Sequence, residues 1–359
     1  MNPTIASNSP NPAREDDPAE GRDLILIPVF NDWPSVSELL PRLDRALSGG
    51  IGADVLIVDD GSTIDPGDEL ARGPFHALGR VKLVRLHRNL GHQRAIAVGL
   101  AYVKDRLDHD AVVVMDGDGE DDPADVPRLL DRLRAEGGRT IVFAERTRRT
   151  ESWTFRAFYI LYKVMHRILT GRGVKVGNFS AIPRRRLDSL VVVSELWIHY
   201  AAAAFQSRQP ICTIPTRRGE RLHGRSSMNF VSLVVHGLSA IAVSSEVVGV
   251  RLLVLAVCFG LLGLAGLVAA VIVRLATTWA IPGWATVTAG LSLLLLVQAI
   301  MLSFVLSLVI LGTRQGSSHL PLRDYSAFVG DVRTLHAPGR SAGLNPSPEP
   351  GADAPLGRP

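Results

Sequence analysis

Two long stretches near the end of the chain admit few solvents other than lipid. Val250 to Val273 is 24 residues with a single charge, Arg251, and Ala285 to Gly312 is 28 residues with none. At 1.5 Å per residue the shorter run makes a helix of about 36 Å, enough for a hydrocarbon core of about 30 Å. The segment between them holds Trp279 and Trp284, side chains that suit a membrane interface. The overall hydrophobic content is an ordinary 47%, but the 250 residues before the first run are rich in Arg, Asp and Glu. The expected layout is therefore a polar domain over 23–227, a juxtamembrane amphipathic segment over 228–249, and a two-helix hairpin within 250–312. A tail over 313–359 follows, disordered from about 336. Residues 1–22 have no apolar core and read as a disordered tail, not a signal peptide. Arg314, Arg323 and the Arg-rich domain flank the hairpin, against Arg274 alone in its connection. The positive-inside rule then puts the domain and both termini on the cytoplasmic face of the membrane.

The polar domain alternates short apolar runs with helical periodicity. Leu24–Val29, Asp54–Val58, Val81–Leu86, Ala111–Met115 and Thr140–Ala144 read as strands. Ser35–Leu47, Gln93–Leu107 and Val126–Glu136 read as helices. Continuous apolar strands imply burial on both faces, so the predicted class is α/β with a mainly parallel sheet. Ligands of such sheets sit beyond the carboxyl ends of the strands. The polar clusters fall there: Asn31-Asp32, Asp59-Asp60, Asn89 and Asp116-Gly117-Asp118.

The net charge of +4, from 39 basic and 35 acidic residues, is too small to argue for nucleic acid. Two cysteines, Cys212 and Cys258, give neither a disulfide framework nor a CxxC metal pattern, which fits a reducing compartment.

The Asp116-Gly117-Asp118 turn is the sharpest chemical feature. Carboxylate oxygens suit a hard cation, and Mg²⁺ or Mn²⁺ commonly shares its shell with substrate phosphates. A solvated turn is the plainer reading. An EF-hand loop is disfavoured because Asp121 stands where that loop needs glycine.

Taken in order, Pro28-Val29-Phe30-Asn31-Asp32, Asp59-Asp60-Gly61-Ser62, Asn89-Leu90-Gly91 and Asp116-Gly117-Asp118 with Asp121 and Pro123 resemble family 2 glycosyltransferases of the GT-A fold. Within them the chain is most similar to the polyprenyl-phosphate glycosyltransferase and dolichol-phosphate mannose synthase group, over about residues 22–230. The resemblance implies an inverting, metal-dependent transfer from a UDP- or GDP-sugar to a polyprenyl phosphate. It implies a donor site lined by Pro28, Val29, Asn31, Asp32, Asp60, Asn89, Gly91, Asp116 and Gly117, with Asp60 reading the base. It also implies Asp116 and Asp118 as ligands of Mg²⁺ or Mn²⁺, with Asp118 bridging to the diphosphate. Some relatives assemble as homo-oligomers. Glu120 departs from the glutamine common in relatives, and Asn178-Phe179 stand where an acid or amide near the sugar is frequent.

Arg217 to Met228 resembles the Arg-x-x-Gly-x-Ser loop that precedes the membrane segment in the family. Guanidinium forks suit phosphates, so Arg217, Arg221, Arg225 and Ser226 are read as phosphate ligands, with Arg221 and Arg225 foremost. A basic patch facing anionic lipid is the alternative. A phosphate acceptor needs no general base, whereas a hydroxyl acceptor (glycolipid or polysaccharide) does, and Glu195 is the candidate for that role. A catalytically inactive membrane scaffold would show a broken DxD, and here both acids are intact. Residues Trp153–Leu169 read as an amphipathic helix against the bilayer or an ordinary packed helix.

Overall fold

The computed structural model describes residues 22–50, 52–67, 70, 73–146, 164–171, 176–224, 230–276, 283–315 and 319–338. Arg225 and Ser226, most of the Trp153–Leu169 segment and both terminal tails lie outside them.

One eight-stranded sheet organises the polar domain. Its strands are β1 (Asp23–Val29), β2 (Ala53–Asp59), β3 (Leu78–Leu86), β4 (Ala111–Val114), β5 (Ile141–Arg146), β6 (Val176–Pro183), β7 (Ile211–Thr216) and β8 (Val329–His336), in the order β7-β5-β6-β4-β1-β2-β3-β8. The central β4-β1-β2-β3 set is parallel throughout. β6 joins antiparallel to β4 and β5, and β8 antiparallel to β3, so the sheet is mixed but mainly parallel.

The unbroken apolar runs follow from two cores, one on each face. Leu24, Leu26, Leu56, Val58, Val112 and Val114 point to the core under α2 (His92–Arg106). Their neighbours Ile25, Ile27, Val55, Ile57 and Val113 point to the core under α1 (Trp33–Leu47) and α3 (Asp125–Ala135). Alternation along a strand thus selects the face, and both faces demand apolar side chains. α2 lies especially close to the sheet, because a Cβ on Gly99 would come within 2.6 Å of Leu26 and 2.8 Å of Val58. In α1, Val36, Leu39, Leu40, Leu43 and Leu47 form the buried stripe, and the Asp32 carboxylate accepts from Ser35 Oγ at 2.6 Å where the helix begins.

Beyond β6 come α4 (Arg184–Leu190), a 3-10 turn (Ser194–Trp197) and α5 (Tyr200–Gln206), which caps the α2-side core with the fully buried Tyr200. α6 (Phe230–Ala242) leads to α7 (Ser245–Ala276) and α8 (Trp284–Gln315). These last two, of mean hydropathy 2.7 and 2.5, are long and apolar enough to cross a membrane. They pack through small residues: a Cβ on Gly263 would lie 3.1 Å from the Ser292 carbonyl oxygen, and one on Gly260 3.4 Å from Ala299 Cβ. Their outer faces leave large apolar side chains uncovered, Leu261, Leu262 and Leu291 each more than 60% exposed. A core helix of a water-soluble domain would bury such residues.

The chain after α8 returns to the polar domain. Residues 319–338, read from the sequence as the start of a tail, wrap its side. Trp197 stacks on His319 and packs on Phe328, and Tyr325 enters the α2-side core with its hydroxyl bonded to Asp105 and Arg106. β8 then completes the sheet. The folded unit is therefore not one contiguous stretch.

Candidate functional site

Because β1, β2, β3 and β4 are parallel neighbours, their carboxyl ends open on one edge. Asn31 follows β1 with φ of 54°. Its amide oxygen accepts from the backbone N–H of Thr63 (2.9 Å) and Ile64 (3.3 Å), and its own N–H donates to Ser62 Oγ (2.9 Å). Asn31 therefore ties the loops after β1 and β2 together. The Val29 carbonyl accepts from Asp60 N at 2.8 Å. Asp60 is buried, and its two oxygens accept from Leu90 N (2.7 Å) and Gly91 N (2.8 Å). Burial raises its pKa above the ordinary value, against the pull of those two N–H groups. Each oxygen keeps a second lone pair for a ligand.

The Asp116–Asp121 turn is the centre of the edge. Gly117 lies over β1, where a Cβ would sit 3.1 Å from Ile27. The Asp116 N–H donates to the Asp121 carboxylate (3.0 Å), and the Glu120 N–H to Asp118 Oδ1 (2.9 Å). Gly119, with φ of +83°, leaves room for Leu222, which a Cβ would meet at 2.4 Å. Burial, followed by the neighbouring charges of Asp116 and Glu120, raises the Asp118 pKa, while Arg221 lowers it. Carboxylates crowded and buried in this way favour a positive charge between them.

That charge is present in the loop 217–224. Arg221 Nη1 stands 3.2 Å from Asp118 Oδ2, and Nη2 stands 3.6 Å from Asp32 Oδ2. Arg218 donates to Glu120 Oε2 through both Nε (3.0 Å) and Nη2 (2.6 Å). Gly219 N donates to the Glu120 carbonyl (2.8 Å) and Leu222 N to the Asp118 carbonyl (2.9 Å). Asp121 and Arg218 form an antiparallel bridge.

The strand-end acids, the order of the motifs and the sheet fit one family, and residues 24–191 match the model of Glycosyl transferase family 2. This domain belongs to glycosyltransferase family 2. Among similar proteins is the undecaprenyl-phosphate 4-deoxy-4-formamido-L-arabinose transferase of Edwardsiella ictaluri, 29% identical over 217 residues, covering 58% of this chain and 64% of that protein. The protein of the same name from Klebsiella pneumoniae is 29% identical over 218 residues, covering 58% and 63%. The chain thus spans somewhat less than two thirds of the length of these relatives. Among solved structures, glucosyl-3-phosphoglycerate synthase from Mycobacterium tuberculosis superposes with a TM-score of 0.48 at 17% identity, covering 64% of this chain and 81% of that one.

Within the glycosyltransferase domain the structure brings Asp32, Asp60, Asp116, Asp118 and Arg221 to one edge, with Pro28, Val29, Asn89, Gly91 and Gly117 in the backbone around them. Arg217 is exposed on the same loop. Glu195 stands apart. Its carboxylate accepts from Ser194 Oγ (3.0 Å) and Gln206 Nε2 (3.4 Å), and among the described residues it makes no hydrogen bond or ion pair with the Asp116–Glu120 turn. The two carboxylates Asp116 and Asp118 fit a hard cation that takes its remaining ligands from phosphate and water. No group of three His, Cys, Asp or Glu side chains suited to a metal occurs among the described residues.

His92 is the residue that the sequence reading missed. It opens α2 with Nε2 3.1 Å from Asp116 Oδ1 and 3.0 Å from Asn178 Nδ2. Burial lowers its pKa, but Asp116, Asp118 and Asp60 outweigh burial and raise it. A lone histidine after a glycine carries no pattern to announce this. Only the neighbouring Asn89-Leu90-Gly91 motif marks the place.

Proposed function

We propose that this protein transfers a sugar from a nucleotide-sugar donor, UDP- or GDP-linked, to a polyprenyl phosphate at the membrane surface, with inversion at the anomeric carbon. The observation that carries the proposal is the convergence of buried carboxylates from separate parallel strands on one edge, faced by the Arg221 guanidinium. The named relatives act on undecaprenyl phosphate, which supports this class of acceptor.

Asp116 and Asp118 hold a divalent cation, Mg²⁺ or Mn²⁺. When bound it neutralises charge growing on the leaving diphosphate. Asp60 and the backbone at Pro28 and Val29 hold the nucleoside. Arg221 and Arg217 bind phosphate oxygens, and Arg221 stands closest to the Asp118 side where the diphosphate lies. As the bond from the anomeric carbon to the diphosphate oxygen breaks, its electron pair leaves with the diphosphate. An acceptor phosphate oxygen forms the new bond from the opposite face. That oxygen is already anionic at neutral pH, so no proton has to move and Glu195 is not needed as a base.

α7 and α8 cross the membrane as a hairpin. Since β8 pairs with β3, the chain enters and leaves the hairpin on the side of the glycosyltransferase domain. The positive flanks place that side in the cytoplasm.

The test is a donor panel given to the detergent-purified full chain with undecaprenyl phosphate or, separately, undecaprenol. Sugar transfer to the phosphate and not to the alcohol supports the proposal. Transfer to the alcohol alone replaces it with a hydroxyl acceptor and a base at Glu195.

A further inference from the structure

The proposed cation site contains a cation of the chain's own. Asp118 has one oxygen bonded to the Glu120 N–H and the other facing Arg221 Nη1 at 3.2 Å. The same guanidinium reaches Asp32 at 3.6 Å. A metal ligated by Asp118 needs the oxygen that Arg221 holds. A guanidinium and a divalent ion cannot share it, because like charges a few ångströms apart in a half-buried site repel strongly.

Arg221 is not there by the chance reach of a long side chain. Its loop is clipped to the acidic turn by Arg218 on Glu120, by the amides of Gly219 and Leu222 on the Glu120 and Asp118 carbonyls, and by Leu222 seated on Gly119. On the far side His223 Nε2 lies 3.0 Å from Glu38. Glu120 therefore acts as a tether: its charge is spent on Arg218, and the backbone it fixes carries Arg221 to Asp118.

We infer that Arg221, positioned by the Glu120–Arg218 pair, occupies the cation's place in the donor-free protein, so that a divalent ion binds Asp118 only by displacing it. The displaced guanidinium is then free to take the diphosphate that arrives with the ion. This rests on the reading of Asp118 as a cation ligand. Its consequence is separate: cation affinity without donor is reduced by the fraction of molecules in which Arg221 is engaged. The function served is to keep the acidic turn neutralised until metal and donor come together.

The experiment is a Mn²⁺ titration of the full chain in detergent, without donor, read as free Mn²⁺ by electron paramagnetic resonance. Arg221→Met is expected to bind Mn²⁺ about five- to tenfold more tightly than wild type, with Arg221→Lys between them. Arg217→Met removes the same charge from the same loop and is expected to stay within about twofold of wild type. Glu120→Gln separates the tether from simple electrostatics. Loss of a nearby negative charge alone weakens cation binding, whereas release of Arg221 strengthens it, and strengthening is expected. Equal affinity in Arg221→Met and Arg217→Met overturns the inference while leaving Asp118 as a ligand. Weakening in Glu120→Gln overturns the tether. If neither wild type nor Arg221→Met binds Mn²⁺ better than Asp118→Ala, the cation site itself falls, and the inference with it.

Discussion

Asp118 and Arg221 lie 3.2 Å apart, yet the chain holds them by different means. Asp60 and the Asp116–Asp118 turn stand at the ends of β2 and β4, strands buried on both faces and locked in register with β1. Their position is a consequence of the sheet. The loop 217–224 has no such base. It follows β7, near the opposite edge of the sheet, and reaches the site only through a bridge, two backbone bonds and ion pairs among partly exposed side chains. The acidic side is thus preorganised and costly to disturb, while the basic side can be moved by a ligand. A site that must admit a bulky anionic donor and release a diphosphate gains from one rigid and one mobile wall.

This contrast can be broken most sharply at the rigid wall. Asp118→Ala is expected to lower nucleoside diphosphate release by about a hundredfold to a thousandfold, with the thermal unfolding midpoint little changed, since the side chain faces the cleft. A comparable loss of folding would instead make it a structural acid. At the mobile wall, Arg221→Ala removes one charge-assisted contact to phosphate, worth about 1.5–3 kcal/mol, and is expected to reduce kcat/KM by about tenfold to a hundredfold. Steady-state kinetics at saturating metal measures this. Glu195→Gln, outside both walls, is expected to change transfer to polyprenyl phosphate by less than about threefold, because an anionic acceptor needs no base. A larger drop would bring Glu195 into the chemistry.

The smallest effect on turnover is expected at the far end of β2. Asp54 is buried beside His109 (3.2 Å) and accepts from Arg80 N (2.8 Å). Burial raises its pKa, but the hydrogen bonds from His109 and the Arg80 amide, with Arg22 nearby, outweigh burial and hold it below the ordinary value. A depressed carboxylate stabilises the fold above its unfolded pKa of about 4, and that stability is lost as pH falls through the lower folded value. Asp54→Asn should therefore weaken the fold at neutral pH and flatten its acid dependence below about pH 4, measured by denaturant unfolding at several pH values. Its turnover, corrected for folded fraction, should match wild type.

Legibility in the sequence followed the same contrast. Leu24–Val29, Asp54–Val58 and Ala111–Met115 were readable as strands because burial on both faces leaves an unbroken apolar run. Once they were parallel, the acids after them had to share an edge. The added antiparallel strands left weaker traces. β8 is partly exposed and interrupts its valines with Gly330, Asp331 and Arg333, and its pairing with β3 depends on the hairpin bringing the chain back. The link between Arg218 and Glu120 spans 98 residues, and no local pattern encodes a contact of that kind. His92 was hidden for the same reason, since its partners Asp116 and Asn178 come from other strands. Glu195 was singled out by position along the chain, but the fold turns its carboxylate to Ser194 and Gln206.

The most direct test of the central claim is nucleoside diphosphate release by the purified full chain with its preferred nucleotide-sugar, with and without polyprenyl phosphate, beside Asp118→Ala. Release that requires the lipid phosphate and is lost in Asp118→Ala is the result predicted here. Release that persists in Asp118→Ala, or that is indifferent to the lipid phosphate, would contradict it.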